Sequence, residues 1–262
     1  MKTIVIFFLL FYYESNAQQK EVIDKKDTSF LKNEILYDLK IIKEERKELR
    51  SLIVPAMLIT YGIVSLDNEN LQSLDRSIQD EVTENNPLFH TNLDNYLQYS
   101  PAVAVYSLNA LGIKGANNFR DRTIIYFLSN AIMGLTVQSL KAFTKVQRPD
   151  GFGKNAFPSR HTATAFVAAE FLYQEYKNIS PWYGVAGYLA ATATGVLRIY
   201  NNRHWFRDIV PGAGFGILST KLVYWMYPAI KRKFFKDKPM TTMAMPYYQN
   251  GNAGIFLVHN FH

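Results

Sequence analysis

Residues 141–161, which read KAFTKVQRPDGFGKNAFPSRH, decide the fold of this chain of 262 residues. This first connection follows the apolar stretch 123–140 and leads into another apolar stretch that begins at Thr162. A second connection, residues 198–208, reads RIYNNRHWFRD and again separates two apolar stretches. Long apolar stretches joined by short polar connections predict an all-α bundle of helices. For their polar residues to act together, the two connections must meet at one end of that bundle.

The charged residues of the two connections are suited to holding a phosphoryl group without a metal ion. Phosphoryl transfer needs mainly positioning and charge stabilisation. Arginine binds phosphate oxygens bidentately, while lysine acts as a point charge. Arg148 lies two helical turns after Lys141, and Pro149 then provides a helix stop. Ser159 is placed to cap a helix whose first N–H groups would face an anion.

Two histidines complete this chemistry. His161 can give a proton to a leaving alkoxide, since the unperturbed pKa of a histidine side chain lies near neutrality. His204 and Asp208 are four residues apart, and a helix beginning near Trp205 would let the carboxylate accept from one ring nitrogen. The other ring nitrogen would then be free to attack phosphorus.

The spacing K-x6-RP, PSxH and R-x5-H-x3-D resembles the signature of the type 2 phosphatidic-acid phosphatase superfamily, over about residues 95–225. That superfamily includes bacterial class A acid phosphatases and vanadium haloperoxidases. The resemblance implies that His204 forms a phosphohistidine, that Asp208 orients it, and that His161 is the general acid and later activates water. It also implies no metal and no cofactor, and a phosphate cradle made by Lys141, Arg148, Ser159 and Arg198.

The sequence departs from the family pattern at two positions. Arg160 stands where the family usually has glycine, and we expect it to add a phosphate contact or to narrow the pocket. Leu197 stands where the family has serine, which removes a hydroxyl from the phosphate surroundings. Arg203 and Arg207 flank the site, and we expect them at its rim, where they would contact a headgroup or the substrate.

Composition narrows the possible partners. The absence of cysteine excludes disulfides, thiolate metal sites and thiol nucleophiles. A net charge of +7 suits anionic partners. Because the basic residues are spread out and no nucleic-acid motif accompanies them, a phosphate substrate or an anionic membrane is favoured over nucleic acid.

The chain divides into four predicted parts. Residues 1–17 read as a signal peptide, with an uncleaved anchor as the alternative. Residues 18–50 predict an amphipathic helical segment. Residues 51–230 form the predicted catalytic helical domain. Residues 231–262 are a basic linker followed by a tail whose weak alternation predicts a β-hairpin.

The apolar stretches predict a transmembrane bundle of five or six helices. If five helices cross, 51–66 is a half-span or a helix packed on the bundle. Three stretches reach 18 or 19 residues, near the length that crosses a bilayer. Aromatic residues lie near the ends of several stretches and resemble an interfacial belt: Tyr176, Trp182, Tyr183, Trp205, Trp225 and Tyr227. A mean hydropathy slightly below zero keeps a soluble periplasmic helical protein as the alternative. The stretches are 51–66, 95–113, 123–140, 162–169 extending to 176, 179–197, and 209–220 extending to 227.

Loop charges predict the orientation. Segment 67–94 is acidic, whereas 114–122 and 231–238 are basic, so the positive-inside rule places the two basic segments in the cytoplasm. Both connections then face outward, which puts the active site on the periplasmic side of a bacterial inner membrane.

The predicted function is hydrolysis of a lipid phosphate. Phosphatidylglycerol phosphate, phosphatidate, undecaprenyl diphosphate and lipid A phosphates are all candidate substrates. The alternatives are a soluble periplasmic acid phosphatase with the same site, a vanadate-dependent haloperoxidase, and a membrane scaffold without activity.

Overall fold

The computed structural model describes residues 51–235 without a break, seven helical residues before them, and the backbone of two strands at 242–249 and 252–259. The chain divides into two compact units, residues 1–51 and 52–262. In the first unit the described residues between 36 and 50 are helical and exposed. The predicted signal peptide, 1–17, lies outside the described residues.

Residues 51–235 form eight helices, and each predicted apolar stretch is largely helical. The predicted all-α fold is confirmed, and so is the β-hairpin of the tail, in which Gln249 pairs with Asn252. The elements are α1 (Ile53–Ser65), α2 (Glu69–Asn85), α3 (Leu93–Leu97), α4 (Ser100–Ala110), α5 (Phe119–Thr144), α6 (Arg160–Tyr176), α7 (Trp182–Tyr200), α8 (Phe206–Phe234), β1 (Thr242–Gln249) and β2 (Asn252–His259).

Two segments differ from the sequence-based description. The acidic segment 67–94 contains helix α2, which Asn68 caps by accepting from the Leu71 N–H at 3.0 Å. The stretch 95–113 is broken into α3 and α4. Pro101, in the first turn of α4, has no N–H and its ring would clash with the Leu97 carbonyl if α3 continued.

Glycines of α8 allow close packing against α6, and this packing positions the site. A Cβ atom added at Gly216 would lie 2.4 Å from the Ala163 carbonyl oxygen, and one added at Gly212 would lie 2.8 Å from the Ser159 carbonyl oxygen. The two backbones therefore approach more closely than any side chain would allow. At the same end the Ser159 N–H donates to the Asp208 carbonyl at 2.9 Å, which joins the starts of α6 and α8.

The predicted aromatic belt is only partly present. Tyr176 and Tyr227 are buried rather than interfacial, because their hydroxyls find partners inside the bundle. Tyr176 donates to the Val105 carbonyl at 3.0 Å, and Tyr227 donates to Asp121 at 2.9 Å. Trp182 and Trp225 are 74% and 65% exposed.

By length and composition, one helix of the described part, α5 with 26 residues, could cross a membrane. The helix of residues 49–65 and α2, bent by 96°, would count as a second crossing if together they formed one broken span. Large apolar side chains remain exposed on three helices of the bundle: Ile53, Val54, Met57, Ile63 and Val64 on α1, Phe127 and Leu135 on α5, and Val185, Leu189 and Val196 on α7.

Candidate active site

The two connections meet at one end of the bundle, but the first does not begin as predicted. Helix α5 ends at Thr144, so Arg148 is not on the same helix as Lys141. Lys145 caps the helix in the left-handed conformation, with φ 49°, and its N–H donates to the Lys141 carbonyl at 3.3 Å. Arg148 lies in the loop that follows, where the residue before a proline favours extended backbone.

Backbone hydrogen bonds and flanking side chains fix that loop. The Ala156 N–H donates to the Val146 carbonyl at 2.9 Å. The Trp205 indole N–H donates to the Gln147 carbonyl at 2.8 Å, and Arg203 pairs with Asp150 at 3.0 Å. A hydrogen bond and an ion pair thus join the second connection to the first.

His204 and Asp208 form the predicted pair. His204 Nδ1 lies 3.4 Å from Asp208 Oδ2, and both side chains are buried. The same carboxylate oxygen accepts from the Trp205 N–H at 2.9 Å, because Asp208 is in the first turn of α8. Asp208 therefore fixes the imidazole ring through Nδ1 and leaves Nε2 free of this contact.

The surroundings of His204 keep its ring neutral. His204 lies in the connection between α7 and α8, and burial lowers its pKa well below the ordinary value. The positive charges of Lys141, Arg198 and Arg148 lower the pKa further, in that order. All three predicted cations therefore act on the same ring, and its neutral form is the one with a lone pair for attack.

The cations also have unused donors. The Nε atoms of Arg148 and Arg198 are buried and have no hydrogen-bond partner within the described residues. Buried polar atoms are normally paired, so two unpaired guanidinium nitrogens beside one histidine indicate an anion site. Lys141 Nζ donates to the carbonyls of Asn155 and, at 3.2 Å, Ala156. These bonds hold the ammonium group in place and leave one of its three N–H bonds free.

Ser159 is the helix cap that the sequence predicts. It is fully buried at the start of α6, and its hydroxyl accepts from the Thr162 N–H and, at 3.0 Å, from the Thr162 hydroxyl. The capped helix has His161 as its second residue.

The three flanking arginines have different surroundings. Arg203 is bound to Asp150, as described above. The Arg207 side chain pairs with buried Asp75 at 3.3 Å. The backbone N–H of Arg207 donates to the same carboxylate at 3.0 Å. Arg207 thus stabilises the docking of α2 rather than standing free at the rim. Arg160 is exposed beside His161.

Two neighbouring polar residues that the sequence reasoning missed also belong to the site. Arg198 Nη1 donates to Asp94 Oδ2 at 2.5 Å, and His161 Nε2 lies 2.8 Å from Asn95 Oδ1. The available signal was the Asp-Asn pair at the start of the apolar stretch 95–113. In the sequence, Asp94 lies 104 residues from Arg198, and Asn95 lies 66 residues from His161.

Comparisons with known proteins agree with this geometry. The sequence profile of the PAP2 superfamily matches residues 122–232. The chain is 43% identical to the lipid A 1-phosphatase of Porphyromonas gingivalis over 145 residues, which are 55% of this chain and 33% of that protein. It is 32% identical to the bacitracin transport permease protein BcrC of Bacillus licheniformis over 76 residues, 29% of this chain and 36% of that one. The chain thus spans about a third of the length of each relative.

Two solved structures also align with the chain. The transmembrane PAP2-type phosphatidylglycerolphosphate phosphatase of Bacillus subtilis aligns with a TM-score of 0.47 and 19% identity, over 71% of this chain and 99% of that one. LpxE of Aquifex aeolicus aligns with a TM-score of 0.43 and 24% identity, over 56% of this chain and 93% of that one. The profile match contains both connections and with them every predicted site residue, so the predicted resemblance to the PAP2 superfamily is confirmed over residues 122–232.

Proposed function

We propose that this chain is a metal-independent phosphatase that hydrolyses a phosphate monoester or diphosphate of a membrane lipid through a phosphohistidine intermediate. The observation that carries the proposal is the setting of His204. Its ring is buried, is oriented by Asp208 at 3.4 Å, and lies among cations with unpaired buried nitrogens. A neutral nucleophile beside a preformed anion cradle is what metal-free phosphoryl transfer requires.

The reaction follows from these positions. His204 Nε2 attacks phosphorus as the bond to the leaving oxygen breaks, and His161 gives that oxygen its proton. The Nδ1–H of His204 donates to Asp208, which stabilises the charged ring. Water then attacks phosphorus, neutral His161 takes the proton, and the P–N bond breaks to release phosphate. Throughout, Lys141, Arg148 and Arg198 balance the negative charge on the phosphoryl oxygens.

The exposed apolar side chains on α1, α5 and α7 support a membrane location, since a soluble monomer rarely leaves so many large apolar groups uncovered on its helices. We propose the bacterial inner membrane, with the site on the periplasmic side. A relative named for lipid A 1-phosphate supports a lipid substrate. A lipid A phosphate is therefore the first substrate to test, followed by phosphatidylglycerol phosphate, phosphatidate and undecaprenyl diphosphate.

The test measures phosphate release from these lipids in detergent by wild type, His204→Ala, His161→Ala and His90→Ala. We expect His204→Ala to abolish turnover. His161→Ala should lose roughly 10²–10⁴-fold, the usual contribution of acid–base catalysis. His90 is exposed and belongs to neither connection, so His90→Ala is the matched control and should keep full activity.

Two results would contradict the proposal. If well-folded His204→Ala retains more than a few per cent of wild-type activity, the covalent mechanism is wrong. If the protein is released from membranes by carbonate and hydrolyses only water-soluble phosphate esters, it is the soluble acid phosphatase instead.

A further inference from the structure

The segment before α3 is fixed to the end of α7 next to the site. The Thr91 N–H donates to Asn201 Oδ1 at 2.9 Å, and Asn201 Nδ2 donates back to the Thr91 carbonyl at 2.9 Å. The rings of Phe89 and Tyr200 pack edge to face with centroids 5.3 Å apart. The short helix α3, Leu93–Leu97, is therefore held against the second connection without help from a ligand.

From this helix Asp94 reaches the phosphate-binding arginine. The carboxylate is buried, and it accepts from Arg198 Nη1 at 2.5 Å and from Asn201 Nδ2 at 3.3 Å. The guanidinium group is planar, so fixing one nitrogen sets the direction of the others. The Nε atom of Arg198, buried and without a partner within the described residues, is thereby held in a fixed orientation for an anion.

The next residue, Asn95, reaches the general acid. Its amide oxygen lies 2.8 Å from His161 Nε2. An amide oxygen only accepts hydrogen bonds, so Nε2 carries the proton in this contact. Because an amide does not ionise, the contact fixes the orientation of the ring in both of its charge states.

We propose that Asp94 and Asn95 are positioning residues for the reaction, with Asp94 orienting Arg198 toward the phosphoryl oxygens and Asn95 orienting the His161 ring for proton transfer. This inference rests on the proposed function. It assigns different effects to two adjacent residues: Asp94 acts on anion binding, and Asn95 acts on the chemical step. A segment that merely supported the fold would not separate these effects.

The test for Asn95 compares Asn95→Ala, Asn95→Asp and the control Asn92→Ala, an exposed residue of the same segment whose side chain makes no helix-capping bond. We expect Asn95→Ala to lower kcat about tenfold or more, since a misplaced acid loses much of its contribution, with KM and vanadate binding unchanged. Asn95→Asp restores the acceptor and should recover kcat. Burial and the charge of Arg198 lower the pKa of His161 to about 4; Arg148 and Arg160 lower it further and Asp94 raises it. The added negative charge at position 95 should raise that pKa and so move the basic limb of the pH profile to higher pH.

The test for Asp94 uses Asp94→Asn, which keeps the side-chain shape, beside Asp94→Ala. We expect vanadate binding by calorimetry to weaken about tenfold or more, because the arginine loses a charge-assisted bond, and KM to rise accordingly. Parallel loss of kcat and vanadate affinity in the Asp94 and Asn95 variants, or no change in either, would overturn the inference. If wild type binds vanadate but hydrolyses no phosphate ester, the proposed function fails instead, while the binding comparison still tests Asp94.

Discussion

At the scale of single residues, the proposed chemistry depends most on the electrostatic surroundings of His204. A histidine that attacks phosphorus must be neutral, and one that is surrounded by cations and removed from water resists protonation. In the proposed mechanism, the cations that hold the phosphate would therefore also keep His204 in its neutral, reactive form. Asp208, whose carboxylate lies 3.4 Å from the ring, is placed to fix the orientation of that ring.

The lowered pKa of His204 leads to a prediction about pH. A nucleophile is lost when it is protonated, so a lower pKa moves that loss to lower pH. We expect the acid limb of kcat/KM to lie well below pH ~6.5, the ordinary value for histidine. Lys141→Met removes a nearby positive charge and should shift the acid limb to higher pH.

The ionisation of the substrate must be separated from that of His204. Because phosphate esters ionise near pH ~6, the profile needs two substrates that differ in phosphate pKa. The prediction would be contradicted if the acid limb shifted with the phosphate pKa of the substrate and did not shift in Lys141→Met.

A second prediction concerns metals and vanadate. Because cationic side chains supply the charge stabilisation, activity should persist in excess EDTA. Vanadate resembles the pentacoordinate transition state, which the site should bind preferentially, so it should inhibit at micromolar to millimolar concentration. Activity that is lost in EDTA and restored by magnesium would indicate another class of phosphatase. A bromide oxidation assay with added vanadate separates the haloperoxidase alternative.

The sequence could predict contacts within one short motif, but not those that depend on tertiary structure. The His204–Asp208 pair follows from a spacing of four residues in a helix. The Asn95–His161 contact requires the chain to break before Pro101 and to return to the start of α6. Likewise, the pairing of Arg207 with Asp75 depends on a helix in a segment that reads only as acidic and polar.

At the scale of secondary-structure elements, close approach of α6 and α8 brings the two halves of the site together. The long uncharged stretches of the sequence predicted the apolar helices of the bundle, because a buried helix needs an apolar surface. It could not predict where α5 ends, since that end is set by the left-handed backbone of Lys145 and by hydrogen bonds within the loop. Arg148 reaches the site because of that early end.

The packing of Gly216 yields a prediction about stability. In Gly216→Ala the new Cβ would lie 2.4 Å from the Ala163 carbonyl oxygen, a backbone atom that cannot move alone. We expect a loss of about 1–3 kcal/mol, typical of overpacking, seen as a lower thermal unfolding temperature in detergent. Gly134→Ala on α5 is the matched control, because nothing lies within 4 Å of its added Cβ. That variant should be neutral or slightly stabilised by its helix propensity. Equal unfolding temperatures for the two variants would refute the packing argument.

At the scale of the whole molecule, the bundle has two polar ends: one contains the candidate site, and the other contains ion pairs that join helices. Opposite the site, Arg122 and Glu175 form a buried pair at 3.6 Å, and Lys231 pairs with Asp121 at 2.8 Å. Some of the charges that predict a cytoplasmic end therefore also join α5, α6 and α8. Helix α5 alone, at about 1.5 Å per residue, is roughly 39 Å long, enough to separate the two ends by a bilayer.

The last prediction tests this orientation. The acidic segment 67–94 and the two connections should face the periplasm, and the basic segments 114–122 and 231–238 should face the cytoplasm. The chain has no cysteine, so single cysteines can be introduced at four exposed positions: Glu84 and Lys154 for the outer side, Lys114 and Lys233 for the inner side.

In cells with a permeabilised outer membrane, an impermeant maleimide should label the cysteines at 84 and 154 and leave those at 114 and 233 unlabelled until the inner membrane is opened. The reverse pattern would place the site in the cytoplasm and exclude a periplasmic substrate. Labelling at all four positions would mean that no bilayer separates the two ends of the bundle. In that case the exposed apolar side chains of α1, α5 and α7 would need a cover other than lipid, and the soluble acid phosphatase would replace the membrane enzyme.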